Sequence, residues 1–521
     1  MSTTIIIPGL SSSTKRPAFY GQTLYTTGPL ATGSIPWNLL LVGNKTSAGS
    51  MTADGSPVQV FGTSEVNTYA GAGSELAQLA YGPDGSGGAL AVQGLNVWLG
   101  CMTEATGGTA AYATAALTGG TEVTGGTINY RVCGVLVPVA VPVGATDAEA
   151  ATALAAGINA HPSLPVTAAT GGDGNKTVTV TAKNKGPRGN TFTLCQDTVS
   201  GPATITSTLA GATAALTNGG VHFKLGAGND SATALIAAIA SQQFDVIAIA
   251  SGDITLDAVN LALWKTALNN AAAATPGHLQ HLVFAETDTL SNTAGLSTTT
   301  VNHARFHNIH MLEGETPAST IAGVVAGEIC SLQHSDPGAG AQYAGMVLPG
   351  VVPQTALTAR PTPAVVETAL GEGVTELTTE ADGTVRISRL ITTYCRSGTT
   401  PDYRTLDIAD AFVPDYCRTS AALLWTSDFQ PNAPRVAPSV PAELKQPPAG
   451  VTTPAAWQDA LTLMARQFER GEGLPYPILT DVDNNLPTAQ WDSAGKFIVS
   501  AWPTKVMPGN YICGLSVRQV G

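Results

Sequence analysis

The chain has 521 residues, of which 12% are charged, and its 24 basic and 37 acidic side chains leave a net charge of −13. That length exceeds what one hydrophobic core fills, so two or three domains are expected, each burying its own interior. No basic block is present to neutralise phosphates, which argues against nucleic acid and an anionic membrane surface as partners.

Residues 1–30 open with the β-branched run Thr3, Thr4, Ile5, Ile6 and Ile7, break at Pro8-Gly9, and resume in an alternating segment from Ala18 to Tyr25. These read as strands joined by a Ser-rich turn. At the extreme terminus they are placed to pair with a neighbouring chain, an ordinary edge strand being the plainer alternative. The N-terminus has no basic n-region and nothing downstream reaches a membrane-spanning length, so a soluble, cytosolic product is expected.

A buried strand over Trp37 to Gly43, a helix near Glu75 to Tyr81 and an apolar strand over Leu95 to Gly100 give the next stretch α/β character. From about Met102 to Asn218 the composition turns to Thr and Gly. Strand-like segments at Thr127 to Val143 and Thr177 to Thr181 flank one Ala-rich helix, Asp147 to Ala160, as in an inserted β-rich domain.

Helix and strand then alternate again. A helix over Ser231 to Gln242, a strand over Phe244 to Ala250, a helix over Leu256 to Asn270 capped by Asp253 or Thr255, a strand over His281 to Ala285 and a helix over Pro317 to Leu332 predict a mixed sheet covered by helices. Asp382-Gly383 between Val374 to Thr379 and Thr384 to Tyr394 is a strong hairpin signal. A Pro-rich connector, Pro431 to Pro454, precedes an amphipathic helix from Ala455 to Arg470 that stops at Gly471 and carries Trp457, Ala460, Leu461, Met464 and Phe468 on one face. The last segment, Lys496 to Val520, is strand-rich.

Chemistry is sparse. His303, His307 and His310 would share one face of a helix and could there offer imidazoles to a metal, yet no Glu follows His303 as a zincin motif demands, and a satisfied polar cluster is the commoner outcome. Gly171 to Thr177 lacks the order of a phosphate loop and reads as a β-turn, and Gly226 to Ser231 reads as a helix cap. Asp481 and Asp483 lack the Gly and closing Glu of a calcium loop. The seven cysteines, Cys101, Cys133, Cys195, Cys330, Cys395, Cys417 and Cys513, are scattered without a Cys-x-x-Cys and read as buried free thiols of a reducing compartment.

Three stretches, taken in order, resemble the contractile tail sheath family, specifically the branch found in Mu-like phages: Met346 to Val351; Gly373 to Leu377 leading through Asp382-Gly383 to Arg389 to Tyr394; and Asp402 to Asp407 before a helix. The Thr-Gly-Gly-Thr repeats, the 147–160 helix and Ala182 to Gly186 of the inserted domain are similar too. The resemblance implies an α/β (α+β) multidomain protein. Its mixed-sheet core would be formed by N- and C-terminal parts, with an inserted β-rich domain and extended terminal strand arms.

The implied division is an N-terminal arm at 1–30, an α/β part at 31–101, the inserted domain at 102–220, a further α/β domain at 221–370, a core domain facing the tube at 371–504 and an arm strand at 505–521. The family further implies that the arms add strands to neighbouring copies through Thr3, Thr4, Ile5, Ile6 and Ile7 at one end and Tyr511, Ile512, Leu515, Val517 and Val520 at the other. The 455–470 helix, with Arg466 and Arg470, would touch the tube. Implied partners are further copies of the chain, a tail tube protein, and baseplate and tail terminator proteins. No cofactor, metal or catalytic site is expected, and the implied location is the virion tail after assembly in the host cytoplasm. A non-contractile shell or adhesion protein and, further off, a metal-dependent enzyme using the three histidines stand as alternatives.

Overall fold

The computed structural model describes residues 37–200, 204–212, 216–273, 277–433, 435–440, 447–493 and 497–511. The run Asn38–Gly43 is apolar at successive positions, and a strand of that pattern needs cover on both faces. Leu39 and Leu41 enter one hydrophobic cluster and Leu40 and Val42 another, on the opposite side of the same strand. Around it forms an eight-stranded sheet. From one edge its order is Val385–Ile387, Thr375–Thr379, Phe306–His310, His281–Glu286, Val246–Ile249, Asn38–Gly43, Asn96–Cys101 and Val58–Val60. The six inner strands are parallel and the two outermost are antiparallel to their neighbours.

Helices cover both faces. Glu75–Tyr81 and Ala318–Ser335 supply Leu76, Leu79, Ile321 and Val325 to one side. Thr233–Ile239 and Ile254–Ala271 supply Leu235, Leu261, Trp264 and Leu268 to the other. The first pair packs so closely that a Cβ on Gly323 would lie 2.0 Å from the Leu79 carbonyl oxygen. Among the parallel strands the chain order reverses between Asn38–Gly43 and Val246–Ile249, because one crossover runs outward to Asn96–Cys101 and the others run the opposite way. This is a topological switch point, where open α/β sheets leave a crevice at the carboxyl ends of their strands.

Between Asn96–Cys101 and Val246–Ile249 the chain builds a second body from two four-stranded antiparallel sheets. One runs Thr206–Ala210, Ala110–Thr118, Thr177–Lys185, Val166–Gly171; the other runs Val221–His222, Thr193–Ser200, Gly126–Val132, Val135–Val141. Strict alternation does the work. Ala111, Ala113, Ala115 and Leu117 face inward with Val178, Val180 and Ala182, and the helix Asp147–Asn159 adds Ala151, Leu154 and Ile158. That helix begins with a reciprocal capping box between Thr146 and Glu149.

The remaining cluster joins the helix Ile408–Leu424 to the helix Pro454–Arg470 through Val413, Cys417, Met464, Ala465 and Phe468. The hairpin Thr488–Asp492 with Phe497–Ala501 lies beside the second helix.

Four expectations need correction. The histidine segment is a strand, not a helix, since Phe306–His310 lies inside the parallel sheet. Of the run Thr384 to Tyr394 only Val385–Ile387 pairs as a strand, the chain then leaving the edge. The 231–242 helix is confined to Thr233–Ile239; its N-cap is Ala232, and Ser231, one residue earlier, accepts from the Thr233 amide at 3.3 Å. The segment Thr127 to Val143 is two strands, because Cys133 and Gly134 take positive φ and turn the chain back. The N-terminal arm, with Thr3, Thr4, Ile5, Ile6 and Ile7, lies outside the described residues.

Candidate functional site

The strand geometry disperses the three histidines. Positions 307 and 310 alternate across the sheet, so their rings point to opposite faces. His307 Nδ1 donates to the Ile391 carbonyl at 3.0 Å, and its Nε2 then accepts from His281 Nδ1 at 3.2 Å. His281 Nε2 faces Asp415 Oδ2 at 3.4 Å, and Asp415 also takes Arg305 at 2.7 Å. Phe412 stacks on His281 with 3.6 Å between centroids. Burial pushes His307 down to about 3, helped by His281, and lowers His281 as well.

His310 Nδ1 lies 2.5 Å from Glu376 Oε2, and its Nε2 lies 2.7 Å from the Asp288 carbonyl. His303 Nε2 contacts Asn269 Oδ1 at 2.9 Å, and burial, then Arg305 and Lys265, push it down to about 4. Each ring is engaged by a different partner set. Among the described residues no group of three or more His, Cys, Asp or Glu side chains is arranged to hold a metal ion. Asp481 and Asp483 are likewise taken up by Lys505 at 2.9 Å and Arg466 at 3.0 Å.

The three stretches that resemble the sheath family come together at one sheet edge. Val347 bridges Arg386, and the Leu348 amide donates to the Val385 carbonyl at 3.0 Å. Ile391 bridges Asp407, and the Thr392 amide donates to Leu406 at 2.8 Å. Arg389 binds Asp407 at 3.0 Å, and Asp407 caps the following helix through the Ala409 amide. Tyr511 joins this strip, its half-buried ring lying 4.0 Å under the Arg389 guanidinium. Burial first, then Asp407, raises its phenol well above the ordinary range. Ile512, Leu515, Val517 and Val520 lie outside the described residues.

Arg466 and Arg470 stand on the outer side of Pro454–Arg470, a helix ended by Gly471 in the left-handed conformation. Arg466 pairs with Asp483, and Arg470 pairs with Glu472 at 2.7 Å, with about half of each arginine side chain exposed. Six of the seven cysteines lie among the described residues, all of them free and buried. Burial pushes Cys101 up to about 11 and Cys133 and Cys195 up to about 12, so these thiols stay protonated at neutral pH.

Sequence reading missed a buried charge cluster at the switch point. Arg188, 4% exposed, reaches in from the inserted body. Its Nη1 and Nη2 bind the two carboxylate oxygens of Asp230 at 2.7 and 3.2 Å, its Nε binds Asp257 at 3.2 Å, and Glu75 stands 3.5 Å from Nη1. Asn44, directly after Asn38–Gly43, donates to Asp230 through Nδ2 at 2.8 Å and to Glu75 through its amide at 3.0 Å. The Gly252 and Asp253 amides donate to Asp257 at 2.8 and 3.0 Å. Burial raises Glu75 to about 7 against the pull of Arg188; for Asp230 burial is outweighed by Arg188, Asn44 and Asn260, which hold it low. Nothing near Gly186-Pro187-Arg188-Gly189 marks this role locally.

No family model matches the chain, and no curated protein does. Among solved structures it is similar to the sheath tail protein of Desulfitobacterium hafniense, at 12% identity and a TM-score of 0.42, over 94% of this chain and 100% of that one. It is similar to a sheath tail protein of Listeria innocua, at 13% identity and a TM-score of 0.44, over 91% and 93%. The helical sheath of the anti-feeding prophage in its contracted state matches at 10% identity and a TM-score of 0.42, over 97% and 99%.

Proposed function

We propose that the chain is the structural subunit of a contractile tail sheath, which polymerises helically around a tail tube and shortens to drive that tube through a host envelope, without catalysis. The observation that carries this reading is the strip at the sheet edge. Segments that resemble the sheath family at 346–351, 373–394 and 402–407 hydrogen-bond into one surface, and that surface also seats Tyr511 from much later in the chain. In this reading residues 1–30 and 505–521 are arms that add strands to neighbouring copies. The second is rooted in its own subunit by the pairing of 505–507 with 478–480 and by Tyr511 on Arg389, and it adds its strand beyond Tyr511. Residues 102–220 face outward and residues 371–504 face the tube, with Arg466 and Arg470 at the contact. Strand addition satisfies a row of backbone groups at once, so it holds copies together while their bodies move. A tube protein, a baseplate and a terminator complete the assembly, which belongs to a virion tail or a particle derived from one.

The test is electron microscopy of the purified protein. Hollow striated cylinders are expected, and deletion of residues 1–16 or of 505–521 is expected to leave folded, unassembled subunits. Normal tubes from both truncations would remove the arm mechanism, and a lattice without a second, shorter and wider state would favour a non-contractile shell.

A further inference from the structure

The switch-point crevice is where open α/β sheets of this winding take up ligands, because strand ends, turn amides and helix N-termini converge there with polar groups unspent. Here the crevice is already filled. The Arg188 guanidinium lies among Glu75, Asp230 and Asp257, all 8% exposed or less, in the arrangement of a bidentate pair with two further carboxylates. The receptor side comes wholly from the sheet body: Asn44 and Gly252 follow the two strands that flank the reversal, Glu75 opens one covering helix, and Asp257 lies in the first turn of another. The ligand side comes wholly from the inserted body. Glu286, at the end of its strand and 0% exposed, has no hydrogen-bond partner on either oxygen, and burial first, then Asp257, raises its carboxyl well above the ordinary range, so it stands beside the cluster as a neutral acid.

We propose that this crevice is a guanidinium-binding site occupied in cis by Arg188, and that the occupied site latches the inserted β body to the doubly wound sheet. Asn184 reinforces the same seam, accepting from the Glu75 amide at 3.1 Å and donating to the Lys45 carbonyl at 2.9 Å. Planarity selects guanidinium over ammonium. Asp230 reads two parallel N–H groups and Asp257 reads the Nε edge, and a point-charged lysine reaches only one of them at a time. The latch does not depend on the sheath reading, since it concerns how one subunit holds its own two bodies together.

The experiment uses the full chain and three probes: guanidinium chloride at concentrations far below those that denature, sodium chloride at equal ionic strength, and amide hydrogen exchange. Arg188→Ala leaves the carboxylates uncompensated, and its Tm is expected to fall by about 5 °C. Guanidinium is expected to return at least half of that loss in Arg188→Ala and none in the parent, whereas sodium leaves both unchanged. A variant with the parent Tm, or one that guanidinium and sodium affect equally, overturns the proposal. Should Arg188→Ala fail to fold, Arg188→Lys decides: faster exchange at the Asn44, Gly252 and Asp253 amides, with unchanged exchange in the Val178 to Ala182 ladder, supports the latch. Parent-like exchange at those three amides rejects it.

Discussion

Burial holds the His307 imidazole at about 3, against 6.5 for the free side chain, so between those values the unfolded chain binds a proton that the folded chain refuses. Stability carried by this group is complete above pH 6.5 and declines as pH falls toward 3, by up to about 1.4 kcal/mol per pH unit. Glu75 acts with the opposite sign: raised to about 7 from 4.5, it favours the folded state increasingly as pH drops through that window. Thermal melts from pH 7 to 4.5 should therefore show a smaller acid loss in His307→Gln than in the parent, and parallel curves would show that the buried imidazole is not the source. The thiols give a second check. With six cysteines buried and protonated, a thiol-specific reagent at neutral pH is expected to label at most Cys513 in the native chain and all seven sites in denaturant.

Local chemistry decided which elements were legible. The helix Pro454–Arg470 was readable because its apolar stripe and the stop at Gly471 are both short-range signals, and Asp382-Gly383 likewise announced its hairpin. The histidine segment offered no such cue, because a strand covered on both faces shows no alternation and His-Ala-Arg-Phe-His-Asn-Ile-His fits a helical spacing equally well. Phe468→Ala should cost about 3–5 kcal/mol in denaturant titration, since the ring is 3% exposed against Ile478 and Trp502. Gly471→Ala should cost about 1 kcal/mol, from its positive φ and a Cβ only 3.0 Å from the Pro477 nitrogen. Charge reversal at Arg466 and Arg470 is expected to shift stability by less than about 0.5 kcal/mol, their ion pairs being exposed, while abolishing co-sedimentation with tube protein if that helix is the contact. Unchanged co-sedimentation would move the contact elsewhere.

At the scale of the whole molecule, periodicity announced helices over a mixed sheet and a Thr- and Gly-rich insertion, but not what joins them. Arg188 lies 113 residues from Glu75, 69 from Asp257 and 42 from Asp230, and no local pattern connects such positions. The insertion enters and leaves through one doorway, where Thr109 pairs with Ala227. Replacing residues 110–226 by a short linker should thus be geometrically mild yet electrostatically severe. Calorimetry should find the shortened chain less stable than the parent sheet body, and Asp230→Asn with Asp257→Asn should recover much of the difference. Equal stability with and without those two changes would mean that the insertion contributes no compensating charge.

Tyr511 has a mechanical corollary. Its ring is clasped by Arg389, Arg389 is fastened to Asp407, and Asp407 both caps the helix Ile408–Leu424 and pairs with Ile391. Tension applied to the polypeptide past position 511 would accordingly reach a stiff rod and the rim of the large sheet together, bypassing the small hairpin at 488–501. Anything that tugs on this tail pulls on the body, and the ion pair at its root is the fuse.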